Sequence, residues 1–124
     1  MTIKTALIVD DEPDIRELLE ITLMRMGIDT RSAENLTRAK ALLEQQEFNL
    51  CLTDMNLPDG NGIDLVCHIQ QSYPQIPVAV ITAYGSVETA ITSLKSGAFD
   101  FVSKPVDLSR LRELVSSALK LTEE

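Results

Sequence analysis

Five short apolar runs, each followed by a stretch with helical spacing, restrict this chain more than any other feature. The runs are Ala6-Leu7-Ile8-Val9, Ile28 to Ser32, Leu50-Cys51-Leu52, Val78-Ala79-Val80-Ile81 and Phe99-Asp100-Phe101-Val102. The second is more polar than the others, as an edge strand would be. Between and after them lie five stripes at spacings of three and four: Ile15, Leu18, Leu19, Thr22 and Met26; Leu36, Ala39 and Leu43; Ile63, Val66 and Cys67; Val87, Ala90, Ile91 and Leu94; and Leu108, Leu111, Val115 and Ala118. Such spacing places each set on one helical face. Gly27 and Gly97 follow the first and fourth stripes, where a left-handed C-terminal residue is wanted. Asn35 and Asp107 stand where N-caps are expected. Strand-then-helix units repeated five times imply a parallel sheet with helices on both faces and right-handed crossovers. The expected architecture is a single flavodoxin-like (βα)5 α/β domain with strand order 2-1-3-4-5.

A chain of 124 residues is the size of one such domain. Aromatic residues make up only 4 % and Trp is absent, so the core is expected to be aliphatic. The formal net charge of −8 argues against direct nucleic-acid binding by this chain and favours a metal cation as ligand. No apolar stretch approaches a membrane span, and MTIKTALIVDDE shows no secretory cleavage pattern. A cytoplasmic location is expected, with Cys51 and Cys67 as reduced core thiols.

In an open parallel sheet, ligands gather beyond the carboxyl ends of the strands. Asp10, Asp11 and Glu12 follow the first run, Asp54 the third, Thr82 the fourth, and Lys104-Pro105 the fifth. Set against Lys104, the carboxylates of Asp10, Asp11 and Asp54 leave a surplus that matches one divalent cation. All-oxygen ligands without His or Cys favour Mg2+, with Mn2+ or Ca2+ as alternatives. A cation that keeps several waters also holds a phosphate, which makes phosphorylation of Asp54 reasonable chemistry. Lys104 and the Thr82 hydroxyl would then meet the oxygens of the transferred group.

The strings LIVDDEPDIR, LTDMNLPDGNG, ITAYGS and GAFDFVSKP strongly resemble the receiver domains of two-component response regulators. The resemblance covers essentially the whole chain, 1–124. It implies that Asp54 is the phosphoacceptor and that Asp10, Asp11, Asp54 and the Met55 backbone carbonyl hold Mg2+. It further implies that Thr82 and Lys104 bind the phosphoryl group, that Phe101 is a switch aromatic, and that the Lys104-Pro105 bond is cis. Tyr84 is a candidate switch partner. The strings carrying AYGS and GAFDF look like the nitrogen-regulator class, which drives sigma-54-dependent transcription. The implied partners are a sensor histidine kinase, effector domains outside this chain, and a second copy through the face of the fourth helix, fifth strand and fifth helix. Such a domain is a switch and not an enzyme in the ordinary sense; it promotes only its own phosphorylation and dephosphorylation.

Plainer readings exist for single residues. Asp11 alone is a reasonable N-cap of the first helix, Asp54 a turn residue, and Lys104 a surface lysine. The acidic spacing after Asp54 does not fit an EF-hand. His68 is expected to be a solvated helix residue. Two other functions remain open at this level: a Mg2+-dependent phosphohydrolase with an aspartyl-phosphate intermediate, and an interaction module that is never phosphorylated. The non-core positions of the fourth helix are expected to be Glu88, Thr89, Thr92, Ser93 and Ser96; Ser and Thr are poor helix formers, so its position should be easily biased.

Overall fold

A computed structural model of the chain describes residues 3–83 and 87–121. The main sheet contains β1 (Thr5–Val9), β2 (Asp29–Ala33), β3 (Leu50–Asp54), β4 (Val78–Thr82) and β5 (Asp100–Ser103). The strands are all parallel and ordered β2-β1-β3-β4-β5, as expected. The helices are α1 (Pro13–Arg25), α2 (Leu36–Gln45), α3 (Gly62–Ser72), α4 (Val87–Lys95) and α5 (Leu108–Leu121). A two-residue antiparallel ladder, Asn56–Leu57 against Gly60–Asn61, closes the turn after β3.

Alternation along the strands splits the core into two layers. Leu7, Val9, Cys51, Val78 and Val80 face α2 and α3, where Leu42, Leu43, Leu65 and Ile69 cover them. Ala6, Ile8, Leu50, Leu52 and Ile81 face α1 and α5, against Leu19, Leu23, Leu111 and Val115. Because β1, β3 and β4 are covered on both sides, their sequences read as continuous apolar runs. β2 is one of the two edge strands, and its residues 29 to 32 are exposed or half-buried. The second and fifth strands begin one residue later than the runs suggest, within the ordinary spread of element ends.

Two apolar stripes do not face where their spacing suggested. On α4 only Ala90 and Ser93 are buried, while Val87, Ile91 and Leu94 are 67 %, 47 % and 42 % exposed. At about 100° per residue the apolar stripe is turned roughly a quarter-circle from the packed face. On α3 the buried side is Leu65, Val66 and Ile69, and Cys67 lies nearly opposite them and is exposed. Cys51 is a buried free thiol, but Cys67 is not the core thiol expected. Nor is Asp11 the cap of α1. Glu12 holds that position, and Pro13 follows it in the first turn.

Gly27 and Gly97 have φ of 83° and 114°, the left-handed turns that end α1 and α4. Asn35 accepts from the Arg38 amide, and Asp107 Oδ1 accepts from the Ser109 and Arg110 amides. No helix among the described residues is long and apolar enough to cross a membrane.

Candidate functional site

The C-terminal ends of β1, β3, β4 and β5 meet at one edge, near the point where strand order reverses. β1 runs into Asp10, whose side chain is fully buried. Its Oδ1 accepts from the Glu12 amide at 2.9 Å, and its Oδ2 has no hydrogen-bond partner among the described residues. β3 ends in Asp54, also buried. β4 ends in Thr82, whose buried Oγ1 is likewise without a partner among the described residues. After β5 the Lys104 amide donates to the Thr82 carbonyl at 2.8 Å, which ties the lysine to the end of β4. The Lys104-Pro105 peptide is cis, as expected.

Lys104 Nζ lies 3.2 Å from Glu12 Oε1, 3.4 Å from Asp54 Oδ2 and 3.7 Å from Asp10 Oδ2. One ammonium thus faces three carboxylates, and Asp11 adds a fourth nearby. Each of Asp10, Asp11, Glu12 and Asp54 places a carboxylate oxygen within 4.8 Å of the others. Burial, and at Asp10 also the neighbouring carboxylates, show in the acidities. Burial pushes the Asp10 carboxyl up to about 6, and the charge of Asp54 adds to the rise. Burial also raises Asp54, with Lys104 opposing. Lys104 itself is pulled down by burial, but Asp10, Asp54 and Glu12 together hold it above its ordinary value. Two buried acids, Asp10 and Asp54, that resist ionisation, one with an oxygen that accepts no hydrogen bond among the described residues, are short of positive charge. Hard oxygen donors of this kind fit a divalent cation such as Mg2+.

The backbone beyond Asp54 is held closely. The Met55 amide donates to the Ile81 carbonyl at 3.1 Å, and the Met55 carbonyl accepts from the Gly62 amide at 2.8 Å. A carbonyl oxygen has a second lone pair, so this one retains capacity for another partner. A Cβ on Gly62 would sit 2.5 Å from the Asp54 carbonyl oxygen, so only glycine lets α3 begin this close. Asp59 reaches from the same loop to α2. Its oxygens accept from the Leu36 and Thr37 amides at 2.8 and 3.0 Å, which holds Asp59 below the usual carboxylate range.

Residues 6–116 match the family model of the response regulator receiver domain. The chain belongs to the response regulator receiver family. It is 69 % identical over 121 residues to response regulator protein PilR of Pseudomonas aeruginosa, covering 98 % of this chain and 27 % of that one. It is 35 % identical to the DNA-binding transcriptional regulator NtrC of Rhizobium meliloti, covering 96 % of this chain and 25 % of the relative. Its fold matches the beryllofluoride-activated NtrC4 receiver domain dimer with a TM-score of 0.91 at 31 % identity, covering 98 % of this chain and all of that one. This receiver domain spans about a quarter of the length of the curated relatives it matches.

Within the receiver, Asp10, Asp11, Asp54, Thr82 and Lys104 are brought together at the strand ends as the sequence suggested. Phe101 lies on β5 opposite Val80, half-buried, and its carbonyl accepts from Arg110 at 3.2 Å. Tyr84 lies outside the described residues. His68 is half-buried, with the Tyr73 ring 6.0 Å from its own, so it is less solvated than expected. Sequence reasoning gave no role to Glu12 beside Lys104 or to Asp59 on α2. It also placed Ser93 outside the core, whereas Ser93 is buried on α4 with its Oγ 3.5 Å from Met55 Sδ. No local pattern marks the last two, because each pairing joins segments more than twenty residues apart.

Proposed function

We propose that this receiver takes a phosphoryl group from the phosphohistidine of a sensor kinase onto Asp54 and converts it into a change of its α4-β5-α5 face. The observation that carries the reading is Asp54 Oδ2 lying 3.4 Å from Lys104 Nζ, beside Asp10 Oδ2 and Thr82 Oγ1, neither of which has a hydrogen-bond partner among the described residues. In the transfer an Asp54 carboxylate oxygen forms the new O–P bond and the N–P bond of the phosphohistidine breaks. The leaving imidazole keeps its electron pair and takes a proton from solvent as needed. Asp10, Asp11, Asp54 and the Met55 carbonyl would hold Mg2+, which supplies positive charge to the phosphoryl oxygens when bound; Mn2+ is chemically equivalent here. Lys104 pairs with one phosphoryl oxygen, and Thr82 donates its hydroxyl to another.

The Thr82 hydroxyl has a reason to turn toward the phosphoryl group, because that move satisfies a buried atom that has no hydrogen-bond partner among the described residues. Phe101 is proposed to fill the space it leaves, with Tyr84 as a further candidate in the switch. α4 is suited to respond. Thr92, Ser93 and Ser96 each return a hydroxyl hydrogen bond to the carbonyl four residues back, a pattern that weakens and bends helices. Its exposed Val87, Ile91 and Leu94 would form the margin that meets a second copy or an effector domain. The likeness to PilR and NtrC supports an output in sigma-54-dependent transcription, through domains beyond this chain and in the cytoplasm. Nothing favours a turnover enzyme or a silent interaction module over this reading.

The test is reductive trapping. After treatment with acetyl phosphate and Mg2+, borohydride should convert Asp54, and no other acid, to homoserine in the mapped peptides. Homoserine at a different residue, or at none while a phosphoryl adduct is present, would remove Asp54 as acceptor.

A further inference from the structure

Glu12 has no part in the chemistry above. Its backbone, at φ −91° and ψ 115°, is the N-cap of α1, yet its side chain makes no capping hydrogen bond. Glutamate is not a favoured N-cap; Ser, Thr, Asp and Asn are. The Glu12 carboxylate instead crosses the mouth of the site to Lys104, and 3.2 Å is the shortest of that ammonium's three carboxylate contacts among the described residues. Its side chain is 58 % exposed, against 7 % for Asp54 and none for Asp10. Glu12 therefore occupies the solvent side of Lys104, and the two buried acids occupy the inner side.

An incoming phosphoryl oxygen reaches Lys104 from solvent. It must displace or share the contact on that side, and that contact is Glu12. We infer that Glu12 is a positioning residue that holds Lys104 in reserve and so restrains phosphorylation of Asp54; the inference rests on the acceptor reading above. Two effects run together. Glu12 competes with the phosphoryl oxygen for Lys104, and its charge repels a dianionic donor. Only the first passes through Lys104, so a double-mutant cycle separates them.

The experiment uses acetyl phosphate at saturating Mg2+. An Asp54 oxygen forms the O–P bond, the P–O bond to the acetyl group breaks, and acetate leaves as an anion without needing a proton. Glu12→Gln should raise the phosphorylation rate about threefold, the scale of one partly exposed ion pair. Asp14→Asn removes an equal charge from the first turn of α1 and should change the rate less than about 1.5-fold, being screened by salt. In a Lys104→Gln background the Glu12→Gln gain should fall to the Asp14→Asn level. In metal-free protein, without any donor, Glu12→Gln should also shift the Lys104 Cε and Nζ resonances, and Asp14→Asn should not. A phosphorylated wild type on which Glu12→Gln and Asp14→Asn act alike, in rate and resonance, would overturn this inference alone. A wild type that takes no phosphoryl group would overturn the acceptor reading, and this inference with it.

Discussion

Asp10→Asn should stabilise the metal-free protein, and the gain should depend on pH. Asp10 has a fully buried side chain, and burial raises its carboxyl from 3.8 to about 6. For a group whose folded value lies above its unfolded value, the favourable contribution is complete below the unfolded value. It is lost as pH rises through the folded one. A difference of about two pH units corresponds to about 3 kcal/mol withheld from the folded state at pH 7.5. At pH 5 about half of that has been lost. Asparagine keeps an oxygen to accept from the Glu12 amide but carries no charge. Unfolding in EDTA should therefore show Asp10→Asn more stable by 2 to 3 kcal/mol, about 10 °C in Tm, at pH 7.5. The advantage should narrow steadily toward pH 5. Asp54 is raised in the same direction, so part of the wild-type pH dependence should survive the substitution. A stability difference that is constant across this range, or that favours the wild type at pH 7.5, would refute the argument that Asp10 is a carboxylate held against its preference.

Two further substitutions examine the loop after β3. Gly62→Ala brings a methyl to 2.5 Å from the Asp54 carbonyl oxygen, and backbone against backbone has little room to yield. It should lower stability by about 2 kcal/mol in urea unfolding and displace the Asp54 and Met55 amide resonances. Asp59→Ala removes the hydrogen bonds to the Leu36 and Thr37 amides and to the Thr37 hydroxyl. The urea midpoint should fall at pH 7, and Asp59→Asn should recover part of it. Because Asp59 is held below its ordinary value, this loss should fade as pH drops through the acid range where the native carboxylate is protonated.

The sheet was legible because β1, β3 and β4 are buried on both faces, so apolar runs of strand length stand out against helical spacing. The site was legible for a related reason. Parallel strands end at one edge, so the residues after each run are neighbours whatever the details of packing. Helix faces were less readable where the local pattern competes with tertiary packing. The apolar stripe of α4 is genuine, but the helix packs through the small residues Ala90 and Ser93, the latter against Met55, and leaves the larger ones outside. Cys67 follows the same logic on α3, where Leu65, Val66 and Ile69 fill the available space. Asp59 sits in the turn after β3. Its carboxylate nonetheless serves a helix that begins more than twenty residues earlier, and no spacing rule reports that.

The proposed function turns on Asp54 accepting a phosphoryl group in a Mg2+-dependent reaction. Intact-protein mass after acetyl phosphate, with Mg2+ or with EDTA, on wild type and Asp54→Ala, tests it most directly. A single phosphoryl adduct is expected on wild type in Mg2+, and none in EDTA or on Asp54→Ala. An adduct that persists in Asp54→Ala or in EDTA, or a folded wild type that takes none in Mg2+, would contradict it.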